Sequence, residues 1–212
     1  MEKERSSKII NLLKKQYPHA KYYLNFSNPL ELMVAAILSA QVRDEVVNAT
    51  TPKLFKKYKT AKDYANTSSS ELTKEIKSIT FAGNKAKNII AACKILVEKY
   101  NGKVPKNMDD LTSLPGIGRK TANTIMINAY GIVEGIPVDI WVQRLSMRLG
   151  WTKNKDPNKI EQDLMKIIPK KDWHNIAYLL KSHGRAICQA TPYCSKCFIY
   201  RLCPRQEVAK HY

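Results

Sequence analysis

Residues Leu114–Asn123 read LPGIGRKTAN. A proline and two glycines close one helical segment and open another, which begins with Arg119 and Lys120. Pro115 helps to stop the short helical turn Asp109–Leu114 that precedes it. Gly116 and Gly118 can take positive φ angles and leave their backbone N–H groups uncovered by side chains. The following helix adds N–H groups without intrahelical partners and the positive end of its dipole, which together form a seat for an anion such as a backbone phosphate. Two cations stand where that dipole disfavours them. Either an anion belongs nearby, or the lysine is wanted in an unusual state. An ordinary glycine-rich turn between helices is the plain alternative, and the ten residues alone leave it open.

Composition narrows the choice. The 212 residues carry 36 Lys and Arg against 18 Asp and Glu, a formal net charge of +18. Such an excess attracts polyanions, of which nucleic acid is the commonest inside cells, although a lysine-rich solvated surface has the same composition. With 44% apolar and 25% charged residues, the chain matches a globular protein able to build its core without disulfides. No apolar run approaches the length of a membrane span, and MEKERSSK lacks the apolar stretch of a secretory leader. The expectation is a cytoplasmic, DNA-associated monomer.

Apolar spacing is helical almost throughout. In NPLELMVAAILSAQ, Asn28 is a candidate N-cap, Pro29 takes the first helical position and Glu31 follows three residues after the cap. Leu30, Met33, Val34, Ile37 and Leu38 then make one apolar face. Further helices are predicted over Ser7–Gln16, Asp44–Lys57, Ser70–Ser78, Asn84–Tyr100, Arg119–Tyr130, Ile140–Leu149, Pro157–Ile168 and Trp173–Ile187. No strand-type alternation is sustained, so the fold class is all-α. Asp139 precedes one of these helices and is placed to cap it.

Cys188, Cys194, Cys197 and Cys203 follow the pattern C-x5-C-x2-C-x5-C. Thiols kept reduced inside a cell favour a metal site over disulfides, and the spacing suits either tetrahedral zinc or an iron–sulfur cluster. Cys93, at core spacing in AACKILV, is read as packing.

LPGIGRKTA resembles the helix–hairpin–helix motif of the endonuclease III family of DNA glycosylases and abasic-site lyases. The likeness continues, in order, through NPLELMVAAILSAQ, GNKAKNII, NGKVP, Val138-Asp139 and the terminal cysteines. It implies a two-lobed fold: residues 22–132 form a six-helix barrel domain carrying the hairpin, while 1–21 and 133–212 form an iron–sulfur cluster domain. Double-stranded DNA with damaged bases or abasic sites would lie in the cleft between them. The resemblance makes Lys120 the nucleophile that displaces the base and forms a Schiff base, from which β-elimination nicks the strand. A helix N-terminus and partial burial would both favour its neutral amine. Asp139 becomes the catalytic carboxylate, a role compatible with capping.

The implied activity is excision of oxidised pyrimidines; a monofunctional mismatch glycosylase and a non-catalytic DNA-binding module are the alternatives. Gly116, Gly118 and Arg119 would meet the DNA backbone. Arg144 and Arg148, one helical turn apart, share a face suited to phosphate or simply to solvent. Gln41, taken as the end of the LSAQ helix, and Phe81 would fill the space left by an extruded nucleotide, although Phe81 also reads as a core aromatic. The four cysteines would hold a [4Fe–4S] cluster, with zinc as the alternative. Many relatives carry one more residue in the first cysteine gap and read V-D-T-H where this chain has Val138-Asp139-Ile140-Trp141.

Overall fold

The computed structural model describes residues 2–212. In chain order the α-helices are α1 (Glu2–Gln16), α2 (Pro29–Leu38), α3 (Asp44–Lys57), α4 (Ala61–Asn66), α5 (Ser69–Glu75), α6 (Ala82–Tyr100), α7 (Met108–Thr112), α8 (Arg119–Tyr130), α9 (Ile140–Arg148), α10 (Pro157–Ile167) and α11 (Trp173–Ala186). Short 3₁₀ turns lie before α11 (Lys170–Asp172) and after it, and no strand occurs among the described residues. The backbone gathers into two compact units, Tyr23–Ile132 and the residues up to Tyr22 together with Val133–Tyr212.

The unit Tyr23–Ile132 is built round α2. The single apolar face expected there is too modest: all seven residues from Leu32 to Leu38 are buried. LMVAAIL has no polar member, and a helix apolar on every side is stable only when enclosed. Helices α3, α6 and α8 pack against it. The Asn28 side chain accepts from the Glu31 N–H at 3.0 Å, as the cap pattern requires, while Glu31 reaches back to the Ser27 N–H at 2.6 Å. Helix α4 has too few residues to show a period, and its signal is instead the reciprocal capping box of Thr60 and Asp63. Cys93 is fully buried, and burial pushes its thiol up to about 12.

The second unit takes its core from Ile9, Ile10 and Leu13 of α1, Val142 and Leu145 of α9, Ile160 and Leu164 of α10, and Ile176, Leu179 and Leu180 of α11. Polar contacts join its distant segments. Arg5 of α1 donates to the carbonyls of Leu149 at 2.6 Å and Leu202 at 2.7 Å. The last residue, Tyr212, exchanges backbone bonds of 2.9 Å with Pro192 and Ser195 and stacks on Tyr193.

Helices α9 and α11 approach closely at one point. Gly184 of α11 is buried, and a Cβ added to it would fall 2.5 Å from Trp141 Cε3 and 3.3 Å from Leu145 Cδ1. Gly184→Ala should therefore destabilise the chain by about 1–3 kcal/mol through overpacking, although alanine is the better helix former by ~1 kcal/mol. In a Trp141→His background, where the six-membered ring is gone, the penalty should shrink to below about 1 kcal/mol. Urea unfolding of the four proteins measures this coupling. Equal penalties in both backgrounds would mean that Gly184 is not there to make room for the indole.

Candidate active site and nucleic-acid interface

The turn between α7 and α8 sorts its residues by direction. Leu111, Leu114 and Ile117 are buried, as are Ala122, Ile125 and Met126 of α8. Gly116, Gly118, Arg119 and Lys120 are exposed. Asn107 caps α7, and the Ile117 N–H closes the turn on the Leu114 carbonyl at 3.1 Å. The two glycines are not equivalent. Gly116 has φ +82°, and a Cβ there would meet the Asn88 side chain at 3.1 Å. Gly118 has φ −94° and ψ 175°, ordinary extended backbone, with nothing within 4 Å of an added Cβ. The expectation of positive φ at both positions is thus corrected to Gly116 alone. Gly118 is the N-cap of α8, and no side chain caps that end. Lys120 lies in the first helical turn and is exposed, which corrects the expected partial burial.

Two loops of the same unit carry Gln41 and Phe81. Helix α2 stops at Leu38, so Gln41 belongs to a turn beyond the helix and not to its last residue as expected. Both residues are exposed, Phe81 by 60%, which removes the core reading of that ring. Both also have left-handed backbone, φ 56° for Gln41 and 58° for Phe81. Between them lies a residue that the sequence reading passed over. Lys85 of α6 is buried, and its Nζ donates to the carbonyls of Leu38 at 2.8 Å and Ala40 at 2.6 Å. A signal existed: Lys85, Ile89, Cys93 and Leu96 form the buried stripe of α6, with a lysine where an apolar residue belongs.

In the other unit Asp139 caps α9. One carboxylate oxygen, Oδ1, accepts from the N–H groups of Trp141 and Val142, each at 2.9 Å. The cap expected from sequence is present, and it leaves Oδ2 outside both bonds. Ile140, the next residue, is 66% exposed. Arg144 lies over the Trp141 ring at 5.0 Å. Arg148 is corrected: it is buried, and its guanidinium donates to the carbonyls of Cys188, Gln189 and Ala190 at 3.2, 2.6 and 2.8 Å. One helical turn separates the two arginines, but only Arg144 retains access to an outside anion.

Those carbonyls belong to the first cysteine loop. Cys188, Cys194, Cys197 and Cys203 are all free thiols and line one small cavity of about 20 Å³, walled by Leu145, Leu149 and Ile199 among others. Among the described residues no three His, Cys, Asp or Glu side chains group tightly enough to hold a metal ion. Burial pushes the Cys197 thiol up to about 11 and raises Cys194 and Cys203 as well, with the neighbouring sulfurs adding to it. His183 is buried beside them, 3.6 Å from Cys197 Sγ through Nε2 and 3.1 Å from the Tyr17 hydroxyl through Nδ1. Burial lowers its pKa to about 4, so it stays neutral.

Comparison with known proteins agrees with this arrangement. Residues 34–170 match the HhH-GPD superfamily base excision DNA repair protein family. An endonuclease III of Synechocystis sp. is 46% identical over 209 residues, 98% of this chain and 95% of its own. That of Escherichia coli (strain K12) is 36% identical, with 98% of each chain covered. A solved structure of a trapped endonuclease III–DNA covalent intermediate superposes with a TM-score of 0.91 at 41% identity, covering 96% of both chains. A thermostable thymine-DNA glycosylase shares the fold, with a TM-score of 0.86 at 22% identity. With relatives this similar over nearly its full length, the chain belongs to the endonuclease III family of HhH-GPD base excision DNA repair proteins.

Proposed function

We propose that Lys120 and Asp139 are the chemical pair with which this chain, a DNA glycosylase and abasic-site lyase of base excision repair, removes oxidised pyrimidines and nicks the strand. The observation that carries this reading is an exposed lysine in the first turn of a helix with no side-chain cap, directly after an exposed glycine turn. A relative at 41% identity was trapped as a covalent intermediate with DNA. Such a bond requires a nucleophile, and an exposed lysine amine supplies one.

The Lys120 amine, once its ammonium has given a proton to solvent, attacks the sugar C1′ as the glycosidic bond breaks and the base departs with the bonding pair. Loss of a proton from nitrogen and opening of the sugar ring give a protonated Schiff base. Removal of a C2′ proton then expels the 3′ phosphate oxygen, and water hydrolyses the imine to regenerate Lys120. Positive charge develops on the sugar in the first step. A carboxylate already fixed through Oδ1 offers Oδ2 to that charge without reorganising. Asp139 thus serves the helix and the reaction with different oxygens. The glycine turn and Arg119 seat the DNA backbone. Gln41 and Phe81 occupy the space vacated by the extruded nucleotide, offsetting an unstacking cost of a few kcal/mol.

The cysteines hold a [4Fe–4S] cluster on this reading. Four cysteines of one short segment line the same apolar cavity, and four thiolates are what such a cluster takes. Cys188 would hold it from the loop bound by Arg148 and Cys203 from the C-terminal turn, so that the group would tie these segments together, and base removal would need no electron from it. Purified protein should be brown and contain iron in about fourfold excess over chain; colourless protein with stoichiometric zinc would refute the assignment.

The two glycines should separate under mutation. Gly116→Ala should lower stability by about 1 kcal/mol or more, because alanine is strained at positive φ. Gly118→Val should cost about 1 kcal/mol at most, as a poorer N-cap residue, while weakening binding to all duplexes alike, and binding should fall steeply with salt. Unchanged affinity for Gly118→Val would rule out close approach of a phosphate at this turn.

Lys120→Gln should abolish strand nicking and borohydride trapping while leaving affinity for a non-cleavable abasic analogue within about threefold of wild type. Asp139→Asn should slow base removal by about 10²–10⁴-fold and keep the helix cap, so that its melting temperature barely moves. Covalent trapping by Lys120→Gln would identify another amine as the nucleophile.

A further inference from the structure

The two exposed left-handed residues share one buried anchor. Helix α2 ends at Leu38, and the last carbonyls of a helix have no partner within it. Ser39 answers two of them, its N–H bonding Ala35 O at 3.0 Å and its hydroxyl bonding Ala36 O at 2.8 Å. The Val42 N–H then closes the turn on Ser39 O at 3.1 Å. The carbonyls of Leu38 and Ala40 go to the Lys85 ammonium. Ala40 immediately precedes Gln41, so the lysine grips the backbone at the foot of that turn. The same residue reaches the other loop through its main chain. The Lys85 N–H donates to the Phe81 carbonyl at 3.1 Å, the first backbone bond of α6 after its left-handed N-cap.

Left-handed backbone at residues other than glycine persists only where the surroundings enforce it. A bulky phenylalanine and a glutamine both hold it here, each within a few residues of Lys85 contacts. Burying an ammonium is unfavourable unless its donors are satisfied, and burial shifts Lys85 below the ordinary lysine pKa. A methionine or leucine would fill the same core position without that cost. The charge is explained by the two carbonyls it holds.

We propose that Lys85 is a positioning residue whose side chain ties the Gln41 turn to the start of α6, where Phe81 stands, so that both side chains are set to enter DNA together when a nucleotide is extruded. This rests on the gap-filling reading of Gln41 and Phe81 given above. Lys85 itself touches no DNA. A set edge spares the enzyme the ordering of two loops at the moment of unstacking.

The test uses the full chain bound at saturation to a duplex in which 2-aminopurine faces a tetrahydrofuran abasic analogue. Entry of a side chain into the gap unstacks the facing base and raises its fluorescence. Gln41→Ala and Phe81→Ala should each lower the rise to less than about a third of wild type, and Lys85→Met should match them. Lys85→Arg, which keeps the charge and donors, should restore most of it. Borohydride trapping on an abasic site within an unpaired bubble, where no gap needs filling, should stay within about threefold of wild type for Lys85→Met. A full fluorescence rise in Lys85→Met overturns the proposal. An equal loss in the bubble assay also overturns it, since the lysine would then be only a structural member of the core. A full rise in both Gln41→Ala and Phe81→Ala would instead remove the gap-filling reading, and the proposal with it.

Discussion

Enclosure of α2 is the constraint on which the surrounding unit depends. Seven consecutive apolar residues without a polar face cannot lie on a surface, so other helices must cover them on every side. Enclosure has a second consequence at the helix end. Carbonyls that a surface helix would give to water must find donors within the protein. Ser39 and Lys85 supply them, and the chain leaves α2 through a turn whose shape those donors dictate. The apolar run thus determines where Gln41 stands, although it never touches that side chain.

Two helix starts bear charge in opposite electrostatic senses. Asp139 completes the positive end of α9, a favourable arrangement that also fixes the carboxylate. The start of α8 bears Arg119 and Lys120 where the dipole disfavours cations, and its N-cap is a glycine with no side chain to cap it. The same physics fixes a carboxylate at one helix start and leaves two exposed cations at the other.

Much of this was legible in the chain. The all-α class and most helix spans followed from apolar spacing, and the cap at Asp139 from a single residue type before a periodic segment. The departures have specific physical causes. Periodicity reports the spacing of apolar residues but not how many sides are covered, so α2 was assigned one face. A six-residue helix shows no period, and α4 is visible only through its capping box. Spacing placed Arg144 and Arg148 on one face, but it contains nothing about a loop forty residues later. That loop's carbonyls draw Arg148 inward. Lys85 escaped because lysine was read as a surface residue by default, and its position in the α6 stripe was the only sign to the contrary.

Residues of one type therefore divide by what surrounds them. Gly116 is required by the fold, through its backbone angle and the Asn88 side chain against it, whereas no contact within the protein demands a glycine at Gly118. Arg148 holds a loop, and Arg144 lies on an indole within reach of solvent. Lys85 is enclosed among carbonyls, and Lys120 is exposed at a helix start. In each pair the first member has its interactions completed inside the chain. The second lies where solvent reaches it, on a chain whose net charge of +18 attracts anions.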